Sequence, residues 1–179
     1  MTQILSFDLE LNQDPTTGPK IIEIGACIGN VHTGKIEESY SQFVNPEQPL
    51  QANIIKLTTI TQADVDNGVS LDDAYIGMVR LAKKYSCVTL PIVWGGGDGI
   101  ALRKELKNTK WHFGRRELDV KSLFQAHQIA KSATIRSGLD DSLQKLNMQF
   151  AGTIHRAIDD AINTFHIFYK LLSFFRTPK

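Results

Sequence analysis

With 179 residues, 42% of them hydrophobic and 22% charged, the chain has the size and composition of a single globular domain, residues 1–179, with a sizeable core. No apolar run approaches the roughly 20 residues needed to cross a bilayer, and Met1-Thr-Gln-Ile-Leu-Ser-Phe-Asp8 lacks the basic-then-apolar order of a secretory leader, so a soluble cytoplasmic protein is expected. A formal net charge of +1 excludes the marked basic excess of proteins that coat long stretches of duplex, and leaves room for contact with a strand end.

Residues 3–11 alternate, which places Phe7, Leu9 and Leu11 on one face of a strand and Asp8 and Glu10 on the other. Asp14-Pro-Thr-Thr-Gly-Pro19 makes a turn. Residues 20–28 and 35–44 supply two more strands, joined across His32-Thr-Gly34 and ended by Pro46 and Pro49, so the chain opens with three antiparallel strands. Short helices follow over 53–66. Ser70-Leu-Asp-Asp73 has the pattern of a capping box and opens a helix that buries Leu71, Ala74, Tyr75, Met78, Val79 and Ala82.

Residues 88–94 read as an apolar strand suited to the middle of a sheet, running into Gly95-Gly-Gly97 and a helix over 98–106. A weaker strand near Leu118 and Val120 precedes helices over 122–130 and 138–146, the second capped by Ser137, and a last helix spans 156–174. Cys27 and Cys87 lie in strands without metal-like spacing and read as buried free thiols. The whole is an α/β fold, a mixed sheet with helices on both faces.

The acids carry the chemistry. Asp8 and Glu10 share a strand face, a pattern that a solvated edge strand also gives. Asp98 stands where strand becomes helix, a position that a capping aspartate takes equally well. Gly95-Gly-Gly-Asp-Gly99 has neither the Lys-Ser/Thr ending of a phosphate-binding loop nor the GxGxxG spacing of a dinucleotide site.

On the last helix, at about 100° per residue, Asp159, Asn163, His166 and Lys170 form a polar stripe that turns Asp159 to solvent. Asp160 instead shares its side with Ala157, Thr164, Ile167, Phe168 and Leu171, where a charge needs partners. His155, in the approach to this helix, is near enough to face the same cluster, a position that a structural capping histidine takes more often.

Taken together, Asp8, Glu10, Asp98, Asp160 and His155 point to a metal-dependent nuclease. Hard oxygen ligands suit two Mg²⁺ or Mn²⁺ ions better than zinc. A pair of ions about 3.5 to 4 Å apart clamps the attacking and leaving oxygens of a phosphoryl displacement. Histidine is the residue best suited to take the proton of the attacking water. Lys104, Lys107, Lys110, Arg115, Arg116, Lys121 and Lys131 gather between Arg103 and Arg136, either as a solvated surface or as a rim that guides the strand.

Phe7-Asp8-Leu9-Glu10, Trp94-Gly-Gly-Gly-Asp98 and His155-Arg-Ala-Ile-Asp-Asp160-Ala, in this order, resemble the three motifs of the DEDDh family of 3'-to-5' exonucleases. Similarity also lies in Ile21-Ile-Glu-Ile-Gly-Ala26, Leu57-Thr-Thr-Ile-Thr61 and Phe150-Ala-Gly152, so it covers nearly the whole chain. The resemblance implies an RNase H-like fold, a mixed five-stranded sheet flanked by helices on both faces, forming a single exonuclease domain. It implies one cation on Asp8, Glu10 and Asp160, a second leaning on Asp8, Asp98 orienting the pair through water, and His155 as general base.

The small exoribonuclease branch is the most similar, which favours RNA over DNA as the single-stranded partner and nucleoside 5'-monophosphates as products. Leu9, Leu11 and Trp94 are the implied substrate contacts. Leu11 stands where relatives often carry a small residue or threonine, and glycines replace a more usual pair before Asp98; both departures bear on strand grip. The alternatives are a DNA-directed proofreading exonuclease and a catalytically weak nucleic-acid-binding module. Oligomeric state is left open.

Overall fold

The computed structural model describes residues 2–114 and 116–175. Three strands, β1 (Gln3–Asp14), β2 (Gly18–Asn30) and β3 (Ile36–Phe43), pair antiparallel in sequence order. Helices α1 (Ala52–Thr58), α2 (Gln62–Asp66) and α3 (Leu71–Lys84) lead to β4 (Ile92–Val93) and α4 (Asp98–Glu105). Next come β5 (Leu118–Asp119), α5 (Val120–Ala130), α6 (Leu139–Lys145) and α7 (Ala157–Phe175). β4 and β5 join in parallel on the far side of β1, giving a mixed five-stranded sheet of order β3-β2-β1-β4-β5. Among the described residues, no helix is long and apolar enough to cross a membrane.

Alternation along β1 and β2 decides what each face carries. Leu5, Phe7, Leu9, Ile24, Ala26 and Ile28 pack with Ala74, Tyr75 and Met78 of α3. On the opposite face Ile4 and Cys27 join Phe165, Ile167 and Leu171 of α7, together with Phe124 of α5. The sheet is therefore covered on both sides, as its sequence pattern requires. α7 lies so close to β2 that a Cβ on Gly25 would stand 2.0 Å from the Ile158 nitrogen. Only glycine permits that approach.

The β1–β2 register shifts between Glu10 and Leu11, so that Glu10 faces Glu23 and Leu11 faces Ile21. Ile22 is the extra residue of this bulge, and its side chain packs with Leu50, Ile54, Ile60 and Val65 beneath α1 and α2. The Ile21 N–H is satisfied by Glu105 Oε2 from the end of α4, at 3.1 Å. A bulge of this kind bends a strand and re-aims its side chains.

Four local expectations need correction. β4 is far shorter than residues 88–94, because Pro91 lacks an N–H for the ladder; its carbonyl accepts Leu118 N–H at 2.9 Å, while Val88 O accepts Gly114 N–H at 3.1 Å. Val120 is helical, since Asp119 caps α5 there through Lys121 N–H. Ser137 does not cap α6: Gly138 is the cap residue, and the Ser137 hydroxyl bonds Asp141 and Ser142 instead. Ser70 does cap α3, but the reciprocal box forms at Thr61 and Asp64 on α2. Cys27 and Cys87 are buried free thiols, as expected, but Cys87 lies between α3 and β4 and in no strand.

Candidate active site

Asp8 and Glu10 stand on the face of β1 that meets α7, because each is an even number of residues from Ser6, whose hydroxyl donates to Ala161 O of that helix at 2.7 Å. The first turn of α7 brings Asp160 to the same place, and the loop before it brings His155. Ligating atoms of Glu10, His155 and Asp160 lie within 4.8 Å of one another. Asp98 opens α4, just beyond the C-terminal end of β4. β1 is the neighbour of β4 in the sheet, so Asp98 faces Asp8 across the pair.

The electrostatics of this gathering are unfavourable without a cation. Burial, then the Asp98, Asp160 and Glu10 carboxylates, push Asp8 well above the ordinary carboxyl range. Glu10 is pushed up to about 8 by burial and by Asp160, Glu23 and Asp98, with Arg156 opposing. Asp98 rises to about 7 through burial and the Glu117 carboxylate. Asp160 rises to about 7 through burial, against the His155 main-chain N–H. Among the described residues, Asp160 Oδ1 is buried without a hydrogen-bond partner. Crowded carboxylates and an orphaned buried oxygen are what a divalent cation would satisfy, and the all-oxygen and imidazole donor set fits a hard ion.

Several structural partners of the site escaped sequence reasoning. Glu23, fully buried on β2, accepts from Arg156 Nε at 3.2 Å and Nη2 at 3.0 Å, from Ala157 N–H at 3.1 Å and from Ser41 Oγ at 3.0 Å. It therefore pins the residue after His155 and the first residue of α7. The signal was present: an acid inside the apolar run from Ile21 to Ile28 has water on neither side and must find a cation.

On β5, Asp119 Oδ1 accepts Gly95 N–H at 2.9 Å, and just before the strand Glu117 Oε2 accepts Gly99 N–H at 3.2 Å. Two acids thus hold both ends of the glycine loop that presents Asp98. Asp159, expected to face solvent, is instead half-buried and accepts Thr153 N–H at 2.8 Å.

The substrate contacts fare unevenly. Leu9 is a correction: its side chain is buried in the core on the face away from the carboxylates. Trp94 is half-buried, with its ring 6.2 Å from that of Phe124. Leu11 is half-exposed and lines an apolar cleft of about 240 Å³ with Pro19, Ala101 and Lys104.

Of the basic residues, Arg103 pairs with Glu117 and lies over Trp111, and Lys107 pairs with Glu47. Arg115 lies outside the described residues. Lys121 runs alongside Gly95, its Cδ 3.6 Å from where a Cβ would stand.

A family model described as Exonuclease (RNase_T) matches residues 5–168. The chain is 29% identical over 178 residues to ERI1 exoribonuclease 2 of Mus musculus, covering 87% of this chain and 26% of that one. It is 30% identical over 166 residues to the 3'-5' exonuclease Snipper of Drosophila melanogaster, covering 80% of this chain and 58% of that one. The chain thus spans about a quarter of the first relative's length and under two thirds of the second's.

A full-length 3'-exonuclease structure superposes with a TM-score of 0.84 at 24% identity, over 96% of this chain and 60% of that one. The nuclease domain of 3'hExo, a DEDDh family member bound to rAMP, gives 0.80 at 22%, over 96% and 92%. These likenesses establish the α/β fold as RNase H-like.

Proposed function

Because the chain belongs to the RNase T exonuclease family, we propose that it removes nucleotides one at a time from the 3' end of single-stranded nucleic acid, RNA ahead of DNA, as a single domain over residues 1–179. The observation that carries this reading is the convergence of Glu10, His155 and Asp160 within 4.8 Å, with Asp160 Oδ1 buried and without a hydrogen-bond partner among the described residues.

Asp8, Glu10 and Asp160 would hold one divalent cation and Asp8 would lean on a second, with Asp98 orienting the pair; Mg²⁺ or Mn²⁺ suits these donors. When bound, such ions stabilise the charge on the attacking and leaving oxygens of an in-line displacement. His155 takes the proton of the attacking water. The water oxygen bonds to phosphorus, the bond to the 3'-oxygen of the preceding nucleotide breaks, that oxygen takes up a proton to become the new 3'-hydroxyl of the shortened strand, and a nucleoside 5'-monophosphate departs. Glu23 holds Arg156, and so the entry into α7, while Asp119 and Glu117 hold the Asp98 loop.

Leu11 borders the terminal base from the end of the carboxylate strand. The strand's upstream phosphates follow Lys121 and Arg136, which line an open cleft of about 540 Å³ with Gln125 and Gly138. The acid on this wall, Asp141, is already paired with Lys145 at 2.8 Å, so the cleft retains positive charge.

The test is digestion of end-labelled single-stranded RNA and DNA of one sequence in Mg²⁺, Mn²⁺ or EDTA, with Asp160→Ala as control. Stepwise shortening from the 3' end that requires both metal and Asp160 is expected, faster on RNA. Faster loss of DNA would move the assignment to a proofreading-type enzyme. No shortening of either strand in any metal would leave a nucleic-acid-binding module.

A further inference from the structure

The loop that delivers His155 has no apolar anchor of its own. Ala151, Gly152, Thr153 and Ile154 are all exposed, and His155 follows with a φ of 62°, a left-handed conformation uncommon for a residue with a side chain. Besides the Asp160 carboxylate, which accepts His155 N–H, what fixes the loop is a pair of side chains on successive turns of α7. Asn163, fully buried, donates from Nδ2 to Ala151 O and to Asp159 O, both at 2.8 Å, and accepts Ala151 N–H at 3.1 Å.

One turn earlier, Asp159 Oδ2 accepts Thr153 N–H at 2.8 Å. Thr153 O in turn accepts Arg156 N–H at 3.3 Å. Between these ties Gly152 lies against the Asp159 carboxyl, so close that a Cβ there would stand 2.3 Å from its Cγ. Residues four apart share a helix face, so Asp159 and Asn163 act on one loop, while Asp160, about 100° around the axis, points at the carboxylate cluster.

We propose that Asp159 and Asn163 are positioning residues that set where the His155 imidazole stands relative to Glu10 and Asp160, and that they act on turnover through His155. The proposal rests on the exonuclease reading above. Three hydrogen bonds from these two side chains to a four-residue exposed segment, added to the Asp160 bond on His155 N–H, leave His155 little freedom while they hold. Losing either lets the imidazole drift, and a drift of about 1 Å at a reacting group can cost about a hundredfold in rate.

Asp159 offers a clean pair of variants. Asp159→Ala removes both the charge beside Asp160 and the acceptor for Thr153 N–H. Asp159→Asn removes the same charge and keeps an oxygen acceptor. On a short single-stranded RNA in Mn²⁺, Asp159→Ala is expected to lower kcat roughly 10- to 100-fold with KM unchanged, and Asp159→Asn to recover most of it. In a His155→Ala background, read in single turnovers, Asp159→Ala should cost nothing further.

An equal loss in both Asp159 variants, or a loss that persists in the His155→Ala background, overturns the proposal. Asn163→Ala should repeat the pattern; if it does not fold, the Asp159 pair decides alone. Should the unaltered chain prove inactive, the exonuclease reading fails by itself, and amide hydrogen exchange still judges the latch. Thr153 N–H should be protected in the unaltered chain and in Asp159→Asn but not in Asp159→Ala, and an unprotected Thr153 in the unaltered chain sinks the idea.

Discussion

Replacing Asp160 with asparagine should abolish turnover and yet raise the stability of the metal-free protein. The Asp160 carboxyl is pushed up to about 7 from an ordinary 3.8. A displacement of about three units, at about 1.4 kcal/mol each, corresponds to roughly 4 kcal/mol of unfavourable ionisation. Solvent reaches part of this side chain and the site can relax, so about half of that, ~2 kcal/mol, is the usable figure.

The sign follows from linkage. A carboxyl raised in the folded state binds its proton more tightly there than in the unfolded chain. The folded state is therefore favoured below the unfolded value near 4 and loses that advantage as pH rises toward about 7. In EDTA at pH 8 the Asp160→Asn protein should melt about 4 to 8 °C higher than the unaltered chain, and at pH 4 the gap should close. Adding Mn²⁺ at pH 8 should stabilise the unaltered chain more than the variant, reversing the order. The assay is thermal unfolding by circular dichroism at both pH values. An asparagine variant no more stable than the unaltered chain at pH 8 in EDTA would refute the claim that the metal-free site disfavours an ionised Asp160 carboxylate.

Arg156→Met should destabilise by about 3 kcal/mol, or about 6 to 12 °C of melting temperature, because it leaves Glu23 charged and buried; adding Glu23→Gln should recover part of the loss, and denaturant melts that find no difference would remove the clamp from the account. Lys121→Gln and Arg136→Gln should each weaken single-strand binding and reduce the salt slope of log K by about 0.7. Anisotropy titrations in Ca²⁺ that keep the original slope would take the strand off this cleft. Leu11→Ala should weaken binding of a short strand roughly fivefold, about 1 kcal/mol of lost apolar contact, and unchanged binding and turnover would dismiss the contact.

The long, strongly patterned elements were legible from sequence because a single periodicity decided them. Alternation placed Asp8 and Glu10 opposite Phe7 and Leu9, and the helical repeat separated Asp160 from Asp159. What the pattern could not give was the identity of partners distant in sequence. Asp159 was turned to solvent by its position on a polar stripe, yet the 151–154 loop folds back over that stripe and takes its carboxylate and the Asn163 amide.

Asn163 shows the same limit from the other side, since an amide on a polar helix stripe reads as facing water until a loop is placed upon it. Glu117 and Asp119 follow a segment without periodicity, and nothing local says that they end beside the Asp98 loop. β4 was overextended because the apolar residues around Pro91 outweighed, in a pattern reading, the missing N–H that confines the strand to Ile92 and Val93.

The two halves of the sheet are unequal. β1 and β2 are paired along their length, from Gln3 opposite Asn30 to Asp14 opposite Gly18, whereas β1 meets β4 at one residue pair, Ser6 with Ile92. Stability in a protein is local, and segments with few backbone ties open at lower free energy than the core. Asp8 and Glu10 therefore belong to the most heavily tied part of the sheet. Asp98 stands instead on three glycines and a strand two residues long, and is held to the sheet through side chains, Asp119 on Gly95 N–H and Glu117 on Gly99 N–H, in place of a long ladder.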